Sequence, residues 1–181
     1  MNATVRSEGR IAQLTEPVTA VTWDVRVLSA VEWRLLRRAR LDALTDAPYA
    51  FSSDYRKEAA QTEQDWRRMF NATTWLVALR GPSDVIGLLG SAREPDQPRA
   101  RYVESIWVAP DHRRGGVLRS LLRVLAERER LSGVGDLALW VLEDNHDARR
   151  AYARLGFRST GEHQPLPGDG RFEERMRLAI A

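Results

Sequence analysis

The stretch of the chain from Trp107 to Leu122 restricts the possible folds more than any other segment. An apolar run rich in β-forming residues (Val103, Ile106, Trp107, Val108) stops at Pro110, and two arginines and two glycines follow at 113–116. The apolar residues that come next recur with helical spacing: Val117, Leu118, Leu121, Leu122 and Leu125. This order predicts a strand, a basic glycine loop and the start of a helix in immediate succession.

A loop of this kind suits a phosphate group. The first turn of a helix has backbone N–H groups without partners, and the positive end of the helix dipole lies there too. Gly115 and Gly116 allow the backbone to come close to a ligand or to take a positive φ. Arg113 and Arg114 add positive charge and paired donors. We therefore expect the chain to bind a phosphorylated small molecule at this loop.

Composition narrows the class of protein. A chain of 181 residues with 43% hydrophobic and 29% charged residues suits one globular domain. No apolar run is long enough to cross a membrane, and the polar N-terminus lacks a secretory signal, so we expect a cytoplasmic protein. The chain has no cysteine and its 3 histidines lack ligand spacing, so no disulfide, cysteine nucleophile or metal site is predicted.

The charge pattern argues against nucleic acid as a partner. The formal net charge is +3, and the basic residues other than Lys57 are arginines interspersed with acidic residues, as at 126–130. Such a mixture is typical of solvated helix faces rather than of a basic patch. The Arg-Arg-Gly-Gly run leaves RNA binding as an alternative, which the placement of the run between a strand and a helix disfavours.

The chain reads as a flexible tail at 1–17 followed by a single domain at 18–181. Apolar patterns and turn signals predict a mixed α/β sheet flanked by helices, in the order β-α-α-β-β-β-α-β-α-β-β. The strands are expected at 21–28, 75–79, 85–92, 102–108, 137–142, from 157 and at 172–180. The helices are expected at 29–44, 62–70, 117–132 and 147–155.

This order and three motifs resemble the GNAT superfamily of N-acetyltransferases, which bind acetyl-coenzyme A. The motifs are Val108-x-Pro110, the loop Arg113–Leu118, and Asn145-x-x-Ala148-x-x-x-Tyr152-x-x-x-Gly156-Phe157. Leu118 departs from the family, which has a small residue there, although its N–H can donate whatever the side chain. The resemblance implies a GNAT-like fold: a mostly antiparallel central sheet with one splayed parallel pair and about four helices.

The resemblance also implies where acetyl-CoA, the acetyl donor, lies. Its pantetheine arm is expected in a gap between the strands at 102–108 and 137–142, with the Val108 N–H donating to the thioester carbonyl. The cofactor-binding residues implied in this way are Ile106, Trp107, Val108, Arg113, Arg114, Gly115, Gly116, Val117, Leu118, Arg119, Ser120, Asn145 and Tyr152. For Asn145 a helix-capping role is equally compatible with the sequence.

Tyr152 is the predicted general acid. The resemblance places it near the sulfur of the cofactor, and a phenol with a pKa near ~10 is protonated at neutral pH and can protonate a departing thiolate. The alternative is a tyrosine packed in the core with its hydroxyl satisfied locally. The position of Tyr152 within the third motif favours the catalytic interpretation.

Glu104 is the candidate general base. On a regularly alternating strand it would share a face with Tyr102, Ile106 and Val108, from which it could take the amine proton through water. A carboxylate that is exposed, or paired with Arg99 or Arg101, is an equally weighted alternative. Two glutamates of the last strand, Glu173 and Glu174, are weaker candidates for the base.

The sequence thus predicts an N-acetyltransferase that moves an acetyl group from acetyl-CoA to a primary amine by direct attack. A non-catalytic acyl-CoA-binding or sensory module on the same fold is the alternative. The acceptor stays open among small amines, amino acids, antibiotics and peptide or protein amino groups, and a homodimer is possible. The aromatic residues Tyr49, Phe51 and Trp66 either line the acceptor pocket or belong to the core, and the core is the default.

Overall fold

A computed structural model of the chain describes residues 22–94, 96–166 and 170–180. The strands are β1 Asp24–Val27, β2 Thr73–Arg80, β3 Asp84–Arg93, β4 Ala100–Val108, β5 Asp136–Leu142, β6 Arg158–Pro165 and β7 Phe172–Ala179. The helices are α1 Trp33–Asp46, α2 Tyr55–Ala59, α3 Glu63–Ala72, α4 Val117–Leu131 and α5 His146–Arg154. The predicted tail at 1–17 lies outside the described residues.

The strands form one 7-stranded sheet in the order β1-β2-β3-β4-β5-β7-β6. Neighbouring strands run antiparallel except for β4 and β5, which are parallel. These two strands pair only from Ala100 to Tyr102 on the β4 side, and from there on they diverge. The predicted mixed sheet with one splayed parallel pair is confirmed.

Helices cover the two faces of the sheet with separate apolar clusters. On one face the buried side of α4, including Leu121 and Leu125, packs with β5 residues such as Leu139 and with Tyr152 of α5. On the other face α1 and α3 enclose a second cluster, which we call the tryptophan cluster. Its members include Leu36, Ala43, Trp66, Trp75, Leu88 and Trp107. The gap between β4 and β5 opens between these two layers.

Capping residues account for several helix starts. The Glu32 carboxylate accepts a hydrogen bond from the Ser29 backbone N–H (3.0 Å), as the predicted capping box requires, and a 3-10 turn then leads into α1. Thr62 and Asp65 form a second capping box at α3. Sequence analysis did not predict the short helix α2, whose N-cap Asp54 accepts from the Lys57 N–H (2.8 Å).

A β-bulge interrupts β4 in the middle of the predicted site. Gly90 of β3 lies opposite Glu104 and Leu88 lies opposite Trp107, so two residues of β4 share the one remaining position opposite β3. Ser105, one of the two, has a φ of 54°, in the left-handed region. The bulge therefore shifts the alternation of side chains along the strand.

This shift corrects one prediction about Glu104. Regular alternation would place its side chain on the same face as Ile106 and Val108. Instead, these two residues pack on the α4 side of the sheet, whereas Glu104 lies on the face of the tryptophan cluster, as Trp107 does. Tyr102, two positions before Glu104 and ahead of the bulge, shares a face of the sheet with Glu104, as predicted.

Candidate functional site

A cleft of about 1540 Å³ opens where β4 and β5 diverge. It is bounded by the glycine loop (residues 113–118), the first turn of α4, the end of β4, α5 and the segment between α1 and α2. Both proposed catalytic residues and all of the predicted cofactor-binding residues line it, apart from Ser120. The Ser120 N–H is already used within the helix, where it donates to the Gly116 carbonyl (3.0 Å).

The glycine loop presents free backbone donors to the cleft. Gly116 is the N-cap of α4 with a φ of 95°, a conformation that a side chain would strain, and no side chain caps this helix. The first-turn N–H groups of Val117, Leu118 and Arg119 have no intrahelical acceptor. The loop therefore has the donors and the dipole of an anion site, and Leu118 leaves its own N–H available.

The end of β4 directs the backbone polar groups of Val108 towards the gap. Ala109, the next residue, donates its N–H to the Ile86 carbonyl of β3 (3.0 Å). Because successive N–H groups of an extended chain point in opposite directions, the Val108 N–H points away from β3. The Val108 carbonyl lies on the same side and accepts from Arg113 Nε (3.0 Å). The gap thus has an exposed strand edge.

Arg113 is held by the protein itself. Besides its bond to the Val108 carbonyl, its guanidinium pairs with the carboxylate of Asp46 at the end of α1. The same carboxylate accepts from the indole Nε1 of Trp107 (2.9 Å), whose buried side chain belongs to the tryptophan cluster. Arg113 therefore fixes the loop to α1 and β4. The exposed side chains of Arg114 in the loop and Arg119 in α4 form no ion pair with any described residue, and they add positive charge.

Tyr152 lies on α5, which ends before Gly156 in a left-handed conformation with a φ of 98°. Only 8% of Tyr152 is exposed, and its ring packs on that of Phe157 with 5.8 Å between the centroids. Burial raises the pKa of Tyr152, with a smaller contribution from Tyr102. Among the described residues the Tyr152 hydroxyl has no hydrogen-bond partner, although the residue lines the cleft.

Tyr102 is a cleft residue that the sequence analysis named only as a neighbour of Glu104. Burial raises its pKa to about 12, and the negative charges of Glu104, Glu173 and Glu94 act in the same direction. Its place on β4, where the parallel pairing ends, was the signal that could have singled it out.

The surroundings of Glu104 bear on the ion pair that was its alternative to a catalytic role. Its Oε1 accepts from the Thr73 hydroxyl (3.0 Å). Arg101, one of the possible ion-pair partners, instead pairs with Glu129 of α4 (2.9 Å) on the other face of the sheet. Within the described residues Glu104 forms no ion pair, so its half-buried carboxylate is available to the cleft.

The two weaker candidates for the base separate. Glu173 lines the cleft and accepts from Gln164 Nε2 (3.0 Å). Glu174, the next residue on β7, points to the opposite face and pairs with Arg149 (2.5 Å). Glu174 is therefore excluded as a cleft residue.

The capping role predicted for Asn145 is confirmed. Its side chain accepts from the Ala148 N–H (3.2 Å) as the N-cap of α5, and the residue also lines the cleft. Of the three aromatic residues considered for the acceptor pocket, Tyr49 and Phe51 line the cleft. Trp66 has 0% exposure and belongs to the tryptophan cluster.

Charged side chains of both signs line the cleft. The basic ones are Arg40, Arg113, Arg114, Arg119, Arg150 and Arg154. The acidic ones are Glu104, Asp147 and Glu173. The guanidinium of Arg171 donates to the carbonyl of Tyr49, one of the lining residues (3.2 Å).

The described residues include neither a membrane-spanning helix nor a metal-binding cluster. No helix among residues 22–94, 96–166 and 170–180 is long and apolar enough to cross a membrane. Over the same ranges no three acidic or histidine side chains come together in a group that could hold a metal ion.

Comparison with known proteins points to one family. The family model described as Acetyltransferase (GNAT) family matches residues 36–157. The chain is 32% identical over 94 residues to a mycothiol acetyltransferase of Actinosynnema mirum, a match that covers 52% of this chain and 30% of the relative. It is 29% identical over 86 residues to an L-2,4-diaminobutyric acid acetyltransferase of Vibrio parahaemolyticus, covering 48% of this chain and 46% of the relative.

Solved structures agree on the fold. A putative acetyltransferase of the GNAT family from Desulfovibrio desulfuricans superposes with a TM-score of 0.70 at 18% identity, covering 88% of this chain and 100% of the other. The curated relatives are matched over less than half of their own length.

Proposed function

Because the chain belongs to the GNAT family of acetyltransferases, we propose that it transfers the acetyl group of acetyl-CoA to a primary amine. The observation that carries this proposal is the arrangement of the cleft. Free N–H groups of the glycine loop lie at one end, the exposed edge of β4 runs along it, and Tyr152 lines it.

The donor end of the cleft suits the pyrophosphate of CoA. In the proposed complex the N–H groups of Val117, Leu118 and Arg119 donate to phosphate oxygens, and the helix dipole favours the negative charge. The exposed side chains of Arg114 and Arg119 neutralise further charge. The pantetheine arm occupies the gap and pairs with the β4 edge in the manner of an added strand.

The chemistry that we propose needs three groups of this chain. The amine nitrogen attacks the thioester carbonyl, the C–S bond breaks, and the Val108 N–H donates to the oxygen on which negative charge develops. Tyr152 gives its phenolic proton to the departing thiolate. Glu104 takes a proton from the amine, directly or through water, so the products are the amide and free CoA.

For the acceptor we propose a small amine. The two relatives named above are a mycothiol acetyltransferase and an L-2,4-diaminobutyric acid acetyltransferase. In this chain the acceptor end has aromatic walls at Tyr49 and Phe51 and the carboxylates of Glu104 and Glu173, which attract a cationic amine.

The test of cofactor binding is a matched pair of glycine substitutions. Gly116 (φ 95°) and Gly133 (φ 76°) are both left-handed, and an added Cβ at either one meets no atom closer than 3.9 Å. Both Gly116→Asp and Gly133→Asp should therefore fold at a similar cost in stability, but only Gly116→Asp places a carboxylate in the glycine loop. We expect CoA to raise the Tm of the wild type and of Gly133→Asp and to leave that of Gly116→Asp unchanged.

Catalysis is tested separately by measuring CoA release from acetyl-CoA with a panel of amines. Release with at least one small amine is the expected result. An equal thermal shift by CoA in Gly116→Asp and Gly133→Asp would refute the assignment of the loop. A thermal shift in the wild type without release by any amine would favour the alternative of an acyl-CoA-binding module.

A further inference from the structure

Two charged side chains are almost completely buried between α1, α2 and β4. Arg40 of α1 is 5% exposed and Glu58 of α2 is 3% exposed. Arg40 Nε donates to one carboxylate oxygen of Glu58 (3.0 Å), and a second guanidinium nitrogen donates to the other oxygen. Either charge would be strongly destabilising alone in this position, so each residue requires the other.

Arg40 also contacts the β-bulge. Its Nη1 donates to the Ser105 hydroxyl (2.7 Å), and its guanidinium carbon lies 5.2 Å from the centroid of the Phe51 ring. Ser105 is the bulge residue with a φ of 54°. A residue with a side chain is strained in the left-handed region and persists there only where its surroundings hold it. The hydrogen bond from Arg40 is one contact that holds Ser105 in this conformation.

The bulge determines which groups of β4 face the cleft. Because it shifts the alternation, the Trp107 side chain enters the tryptophan cluster, where Asp46 at the end of α1 holds its indole N–H. The Val108 N–H and carbonyl are then directed towards the gap between β4 and β5. Two residues of α1, Arg40 and Asp46, thus fix β4 at Ser105 and at Trp107.

We propose that Arg40, oriented by its buried pair with Glu58, is a positioning residue for acetyl transfer. By holding Ser105 it keeps the β4 edge in the geometry in which Val108 can donate to the reacting carbonyl oxygen. Its contact with Phe51 joins this edge to the acceptor wall of the cleft. The inference rests on the proposed function, because it assigns Val108 to the thioester.

Two substitutions remove the contact with the bulge without leaving a buried charge alone. Arg40→Lys keeps the positive charge beside Glu58. One ammonium group cannot replace the planar guanidinium, which donates to Glu58 and Ser105 at the same time. Ser105→Ala removes the hydroxyl only. The matched control is Arg101→Lys, which weakens the pair of Arg101 with the buried Glu129 on the opposite face of the same strand.

Three measurements separate positioning from a merely structural role. The first is amide hydrogen exchange over residues 103–108, which does not depend on activity and should become about tenfold faster in both bulge variants. The second is kcat, which should fall about 10- to 100-fold, as expected when a reacting group is misplaced by about 1 Å. The third is the Kd of CoA, which should stay within about twofold because the glycine loop is untouched.

Arg101→Lys should lower the Tm and leave exchange at 103–108 and kcat unchanged. If the bulge variants behave like this control, or if their kcat is unaltered in an active enzyme, the positioning role of Arg40 is wrong. A wild-type protein that releases no CoA with any amine refutes the proposed function and, with it, the positioning role of Arg40 in acetyl transfer. The exchange data from the same samples then show whether Arg40 fixes the bulge at all.

Discussion

Replacing Tyr152 with phenylalanine separates the role of its hydroxyl in catalysis from its role in packing. The ring is 8% exposed and packs on Phe157, and both features survive the substitution. The hydroxyl has no hydrogen-bond partner among the described residues, so its removal breaks no bond within them. We therefore expect the free energy of unfolding to change by less than about 1 kcal/mol, with phenylalanine no less stable.

The catalytic effect should be much larger. If the phenol protonates the leaving thiolate, kcat should fall by about 10²-fold or more, the usual scale of general acid catalysis. A factor of 10² corresponds to about 2.7 kcal/mol of transition-state stabilisation, well above the expected change in folding stability. The KM of acetyl-CoA should change little, because the lost interaction belongs to the transition state.

The pH dependence gives an independent check. Burial raises the pKa of Tyr152 above the ordinary phenol value of about 10, so the hydroxyl stays protonated from about pH 6 to about pH 9. Because this hydroxyl does not titrate in that range, Tyr152→Phe should lower kcat by the same factor at every pH and leave the shape of the pH profile unchanged. The assay is steady-state CoA release at saturating amine, with Tm measured on the same samples.

Tyr102→Phe is the control, since Tyr102 is a second tyrosine of the cleft with a raised pKa. It should retain kcat within a few-fold of the wild type. A Tyr152→Phe enzyme with nearly unchanged kcat and a lower Tm would show that Tyr152 is a core residue. A large loss of kcat in Tyr102→Phe alone would assign the acid to Tyr102.

Two further predictions concern the general base and the packing of α4 on the sheet. Glu104→Gln should lower kcat/KM by about 10²-fold and remove the acidic limb of the pH profile of kcat/KM. The control, Glu173→Gln, should keep that limb. An unchanged profile in Glu104→Gln would exclude Glu104 as the base. Gly87→Ala would place a Cβ 2.7 Å from Val117 Cγ1, pushing the start of α4 off the sheet. The unfolding free energy should fall by about 1–3 kcal/mol and CoA should bind more weakly; an unaltered thermal melt would contradict this.

The parts of the fold that the sequence predicted depend on local signals. The Asn145 cap, the left-handed Gly156 after α5 and the glycine loop before α4 all follow from residues within one helical turn of the feature. The splayed strand pair came from the family resemblance. These signals located the cleft and nearly all of its predicted lining.

The features that the sequence did not predict depend on contacts between distant residues. The bulge at Ser105 breaks the alternation from which the face of Glu104 was inferred, and its stabilising partner, Arg40, lies 65 residues away. Arg113 has the sequence signature of a phosphate ligand, yet Asp46, at a separation of 67 residues, holds it. Helix α2 is short and mostly exposed, so it has little apolar periodicity to reveal it.

The brevity of the contact between β4 and β5 divides the molecule into two halves that are each continuous in sequence. Every other strand pairing in the described chain lies within β1–β4 or within β5–β7, and residues 132–135 alone connect α4 to β5. Each half closes its hairpins locally, while the apolar cluster beneath α4 and α5 is shared. Cutting the backbone at Gly133 should therefore yield two fragments that reassemble. A ligand bound in the gap would contact both fragments and hold them together, so the pair could serve as a split-protein sensor.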